Sequence, residues 1–149
     1  MIRTYVIYTV VPLAALVAAS GGAGNANAPI AAGHLSPGQA TTVTVNVTAN
    51  TAGTEALSSC DSVQVTGVRN DSTGTSEPLG MDLSAAVVGS LSKSGAECSV
   101  AMTVTAASDA IPDHYEIDLQ FNYTLVDSLD GSVRTDDSTS AIDINVSSS

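Results

Sequence analysis

The chain has 149 residues, of which 15 are acidic and 4 basic, for a formal charge of −11. That is about one domain's length, and the charge has the wrong sign for nucleic acid or an anionic membrane surface, both of which reward clustered Lys and Arg. Hydrophobic residues make up 44% of the chain, but much of this is Ala and Val and there is no Trp, so a core has to be built largely from small and β-branched side chains.

In chain order, the first element is a leader. "MIRTYVIYTVVPLAALVAASGGAGNANA" opens with Arg3, is apolar from Val6 to Ala19 and then turns to Gly, Asn and Ala, the three-part plan of a secretory signal peptide. As a helix the apolar run is about 21 Å long at roughly 1.5 Å per residue, short of the roughly 30 Å hydrocarbon core. Small residues at Val17-Ala18-Ala19, Gly24-Asn25-Ala26 and Ala26-Asn27-Ala28 offer cleavage sites, and Pro29 disfavours the last. The reading is a signal peptide over residues 1–26, cut between 19 and 26. An uncleaved N-terminal anchor, lengthened by Gly21 to Ala23, is the alternative. No Cys follows the apolar run to carry a lipid. Residues 27–39 read as a flexible linker or extended arm, and 40–149 as the folded domain.

From the linker onward the hydrophobic period is two. Val43, Val45 and Val47 alternate with Thr44, Asn46 and Thr48, as in a half-buried antiparallel strand. Val63 and Val65 repeat the pattern until Gly67 breaks it, as at a bulge or close approach. "MDLSAAVVGSL" reads as a strand through Leu83, Ala85 and Val87, with a helical turn as the alternative. Cys98, Val100, Met102 and Val104 share one face of the next run. "DHYEIDLQFNY" sets Tyr115, Ile117, Leu119, Phe121 and Tyr123 on every second position, and Ile142, Ile144 and Val146 close the series. Segments rich in Gly, Pro, Asn, Asp and Ser separate these runs as turns. Six to seven strands so spaced predict an all-β, immunoglobulin-like antiparallel sandwich. Tyr115, Phe121 and Tyr123 face inward by period, giving bulk to an otherwise small-residue core.

Cys60 and Cys98 are the two cysteines. An even count in an exported chain points to a disulfide. It would close a loop of about 39 residues, worth about 4 kcal/mol by chain entropy. A reactive thiol would need a base, and neither His34 nor His114 is tied to a Cys by the sequence.

"HLSPGQATTVTVNVTA" and, much later, "IPDHYEIDLQFNYTLVDSLDGSVRTDDSTSAIDINV" resemble the first and last parts of immunoglobulin-like domains of archaeal and bacterial cell-surface proteins, of the CARDB type or S-layer-associated. The shared pattern is a Pro-Gly turn before an alternating Thr/Val strand, a Pro and Tyr opening a long strand, an Asp-Gly hairpin and a final strand. It covers about half of the chain beyond the leader. Family members usually carry Gly where Asp113 or His114 stands. The resemblance implies a sandwich at the cell surface and carries no catalytic residues.

Asn46, Asn70, Asn122 and Asn145 each begin an Asn-x-Ser/Thr acceptor pattern. Asn46, Asn122 and Asn145 fall opposite the apolar face of their strands, where sugar would leave a core intact; Ser and Thr supplying β propensity on solvated faces explain the pattern equally well. Asp127, Asp130, Asp136 and Asp137 surround the "DSLDGS" turn. They could offer oxygens to calcium, but the bidentate Glu of an EF-hand is missing and a solvated acidic hairpin is the better reading. Phosphate loops, dinucleotide fingerprints, metal-ligand spacings and nucleophile elbows are absent from the sequence, and no catalytic residue, metal or cofactor is expected. Two functions of different class remain. One is an exported structural subunit of an extracellular filament or surface layer, joined by strand edges to itself or to other cell-surface proteins. The other is a monomeric secreted adhesion or accessory binding module. Neither calls for nucleic acid, or for membrane contact by the mature domain.

Overall fold

The computed structural model describes residues 25–70, 73–78 and 80–148. The leader over 1–26, apart from its last two residues, and its cleavage sites up to Gly24 lie outside the described residues. Nine strands follow one another: β1 (Asn25–Ala26), β2 (Ile30–Leu35), β3 (Ala40–Thr48), β4 (Glu55–Asn70), β5 (Thr75–Glu77), β6 (Leu83–Ser94), β7 (Glu97–Ala106), β8 (Asp113–Asp127) and β9 (Val133–Val146). They form two sheets. The larger runs β9-β8-β4-β5, with β1 and β2 both on the outer side of β9; the smaller is β3-β7-β6. This is the immunoglobulin-like sandwich, with A′, G, F, C and C′ equivalents facing B, E and D.

The alternating runs read in the sequence occupy β3, β4, β6, β7, β8 and β9. "MDLSAAVVGSL" is strand, not helical turn, from Leu83 onward. Three elements were not legible as strands. β1 and β5 are two and three residues long, too short to show a period. β2 lies in the segment read as linker or extended arm. It runs parallel to β9, pairing Ile30 with Ile142 and Leu35 with Val146, so the large sheet is mixed where an antiparallel one was expected. The register shifts between Ala31 and His34. Gly33 takes φ 81° there, a conformation open to glycine at little cost, and Ile30, Ala32 and Leu35 all reach the core. An alternating code cannot survive such a bulge.

β8 is the centre of the core. Tyr115, Ile117, Leu119, Phe121, Tyr123 and Leu125 are all fully buried, between β4 on one side and β9 on the other. Val43, Val45 and Val47 of β3 with Val100, Met102 and Val104 of β7 form the facing layer. The two buried phenols find partners for their hydroxyls, as buried Tyr must. Tyr115 Oη donates to the Ile111 carbonyl at 2.8 Å, the tyrosine-corner arrangement at the start of an F strand. Tyr123 Oη accepts from the Asn50 N–H at 2.8 Å, lies 2.9 Å from Ser138 Oγ and donates to the Asp137 carbonyl at 3.3 Å. Ser138 Oγ in turn donates to the Thr48 carbonyl at 3.2 Å. Buried Asn27 closes the same end, accepting from the Thr48 N–H and donating to the Thr139 carbonyl.

Cys60 of β4 and Cys98 of β7 are bonded, with Cα atoms 5.7 Å apart, so the disulfide staples the two sheets together. In antibody domains the staple joins the B and F strands; here it joins the C and E equivalents.

Replacing both cysteines, Cys60→Ala with Cys98→Ala, is expected to cost about 2–4 kcal/mol, read as an earlier urea midpoint with a steeper slope, because the unfolded chain loses its cross-link and exposes more surface. Tyr123→Phe leaves the ring packing but removes the shared hydroxyl. It is expected to cost about 1–3 kcal/mol, and an unaltered melting temperature would show that the network contributes nothing.

Candidate functional site

The two sheets differ in width, and that difference leaves one flank open. β5 covers only Val68 to Asn70 of β4; from Glu55 to Gly67 the outer edge of β4 has no strand partner among the described residues. β6 pairs with β7 on one side, and its other edge is likewise without a strand partner among the described residues. The two edges lie on the same flank. Val63 and Val65 of β4 are consequently half-buried rather than sealed, and Val87 and Val88 of β6 are 43% and 47% exposed.

The edges are unequally defended. Sheets normally blunt an edge with Lys, Pro, bulges or charge. β4 has register shifts at Leu57/Ser59, Cys60/Ser62 and Val65/Gly67, each of which twists the strand away from a flat partner. It also carries exposed Asp61, whose carboxylate takes hydrogen bonds from Ser59 and Thr124 and is held below the usual carboxylate range by them. β6 runs in unbroken register from Leu83 to Val88. That stretch contains no charged residue and no Pro; its bulge, with Gly89 at φ 81°, and its Lys93 come later.

Charge is divided between the outer faces. On the small sheet, Thr42, Thr44 and Asn46 of β3, Ser99, Ala101, Thr103 and Thr105 of β7, and Ser84, Ala86 and Val88 of β6 share one face. None is charged, and Thr42 and Thr103 hydrogen-bond across it at 3.3 Å. The outer face of the large sheet is acidic. Arg69 of β4 holds Asp118 through two hydrogen bonds of 3.0 Å and also pairs with Glu116. Asp143, opposite Glu116 on β9, is 3.7 Å from His114 Nε2. A shallow depression of about 380 Å³ opens here, lined in part by Arg69, Glu116, Asp118, Thr139 and Pro29. Burial pushes the Glu116 carboxyl up to about 7; Arg69 opposes the shift, and the neighbouring Asp118 and Asp143 add to it. One guanidinium does not neutralise three carboxylates.

The residues singled out in the sequence are not assembled into one site. Asp130 turns its carboxylate back on its own hairpin, accepting from Ser132 N–H, while Asp127 accepts from Leu129 N–H within the hairpin and from Thr54 Oγ1 just before β4. Asp136 pairs with Arg134, which also grips Glu55 and holds its carboxyl down at about 2. Asp137 faces Gln120. Among the described residues, no group of three or more His, Cys, Asp or Glu is placed to hold a metal ion. His34 lies against Ser147 and His114 against Asp143, while both cysteines are committed to their bond.

Of the four acceptor asparagines, Asn145 is exposed, Asn46 and Asn122 are half-buried on outer faces and Asn70 is buried. Asn122 Nδ2 donates to Ser62 Oγ at 3.1 Å. Arg69 with its carboxylates escaped the sequence reading, because the bulges of β4 decide which residue meets Glu116 and no local signal announces that register.

No protein-family model, curated protein or solved structure matches this chain.

Because the fold raises the Glu116 pKa above its ordinary value near 4.5, this group's stabilising contribution is full below pH 4.5 and is lost as pH rises through about 7. Glu116→Gln should remove that loss. At pH 8 the variant is expected to melt roughly 2–4 °C above the parent, a solvent-screened effect of about 1 kcal/mol, and the gap should shrink by pH 5. Equal melting temperatures at both pH values would show that Glu116 titrates normally.

Proposed function

We propose that this chain is an exported structural protein, a subunit of an extracellular filament or surface layer that assembles by strand-edge contacts. The observation that carries this reading is the open flank, where two long strand edges lie side by side with exposed valines. An edge presents unpaired N–H and C=O groups in a row and is a template for another strand unless it is blunted. Export is supported by the leader pattern and by the inter-sheet disulfide, a bond that persists in oxidising compartments. The proposed setting is the cell surface, in keeping with the resemblance to CARDB-type and S-layer-associated domains. Action by shape is supported by the disposition of most carboxylates, which are engaged with arginines, hydroxyls and turn amides; Glu116 and Asp118, which line the depression, stand apart from that pattern. If the export pathway glycosylates, exposed Asn145 is the best-presented of the four acceptors.

A second reading, a monomeric adhesion or accessory binding module, is favoured by one feature: the depression beside Arg69 on the large sheet.

Full-length protein secreted by an oxidising host, examined by light scattering across a concentration series and by electron microscopy, separates the two. Discrete oligomers or regular polymers that grow with concentration are expected. A strict monomer at every concentration would overturn the structural reading in favour of the binding module.

A further inference from the structure

We infer that the first contact in this assembly is an isologous antiparallel pairing of β6 with β6 of a second copy of the chain, about a two-fold axis at Ala86. This rests on the proposed edge-to-edge assembly and names the edge and the occupant.

Four edges compete for the role. That of β3 is also uncharged and in unbroken register with β7, but its inward valines are already sealed, at 3% or less, and its Thr48 N–H is taken by Asn27, so a strand added there would cover no exposed apolar side chain. The outer side of β9 is occupied by β1 and β2. β4 is bent by three register shifts and bears Asp61. β6 is straight from Leu83 to Val88, uncharged over that length, and built of residues compatible with a strand.

The occupant follows from charge and from self-complementarity. A basic or acidic partner would find nothing to pair with along Leu83 to Val88. A second copy, which carries −11 overall, is repelled wherever carboxylates meet, but this stretch and the adjoining outer face of the small sheet bring neutral residues together. Antiparallel residues that face each other lie on the same side of a sheet. A two-fold axis at Ala86 sets Val87 of each copy beside Ala85 of the other on the inner side, and Val88 beside Ser84 on the outer side. Both exposed valines are covered twice over, once per copy. Residue i meets j and j meets i, as an isologous interface requires.

The flanking surface extends the contact. Met81 and Ile111 are 61% and 59% exposed, and the Ile111 N–H meets the Asp82 carboxylate at 3.3 Å, which places both at the start of β6. Among the described residues, four of the six large exposed apolar side chains therefore lie on or beside this strand, while Leu129 and Val133 belong to the β8–β9 hairpin. The pairing joins two three-stranded sheets into one of six strands whose outer face is uncharged apart from Glu97 at the start of β7. Such a pair is closed in itself, so growth into a filament or layer needs a second contact elsewhere.

The test uses the full secreted chain in three forms. Ala86→Cys places two thiols opposite each other at a spacing a disulfide can span; mild oxidation is expected to give a covalent dimer on non-reducing gels. Ala86→Lys sets two like charges face to face and is expected to yield monomers by light scattering. Gln64→Lys, on the exposed edge of β4, is expected to leave the dimer intact. Circular dichroism and the intact mass of the Cys60–Cys98 bond confirm that each variant is folded. If Gln64→Lys dissociates the assembly while Ala86→Lys does not, the β6 assignment is overturned and edge assembly survives. If the parent is monomeric and Ala86→Cys forms no cross-link, both fall.

Discussion

The fold depends on one strand being buried from both sides along its whole inward face. Six consecutive inward positions of β8, from Tyr115 to Leu125, are sealed from water, and β8 sits between β4 and β9. In a chain with no Trp and few aromatics, this strand supplies most of the bulk that the valines of β3 and β7 pack against. Tyrosine at both ends has a particular effect. Each ring fills the core, and each hydroxyl must end at a polar partner, so the packing layer is pinned at Ile111 on one side and around Asn50 and Ser138 on the other.

That dependence explains what the sequence reveals. Period-two alternation over Val43 to Val47, Cys98 to Val104 and Tyr115 to Tyr123 is the direct trace of one buried face, and those segments became β3, β7 and β8 with their inward residues as read. Legibility ends where the backbone leaves the simple pleat. In β2, a bulge at Gly33 sends Ala32 and Leu35 to the same side, and Ala31-Ala32 carries little hydrophobic contrast, so a real strand looked like an arm. In β4, Val63 and Val65 alternate correctly yet remain half-buried, because burial depends on whether the opposite sheet extends over them. Strand width is a property of the assembled sandwich.

The candidate surfaces show the same division. The composition of β6 from Leu83 to Val88, neutral and β-branched at Val87-Val88, is visible in the sequence, but its position at an edge is set by topology. The acidic cluster at Glu116 is less accessible still to a linear reading. Arg69, Glu116 and Asp143 come from three strands, and three register shifts in β4 determine that the guanidinium arrives there. The result is a sandwich with unlike outer faces, one acidic and the other uncharged apart from Glu97.

The parallel alignment of β2 with β9 has a mechanical consequence. Asn25 stands beside Ser138, while Leu35 stands beside Val146, so tension between the two ends of the described chain would drag these neighbours lengthwise in opposite senses. The hydrogen bonds on either side of the Gly33 bulge would share that load together instead of parting one after another like a zipper. A domain pulled from these two ends would resist as a lap joint does.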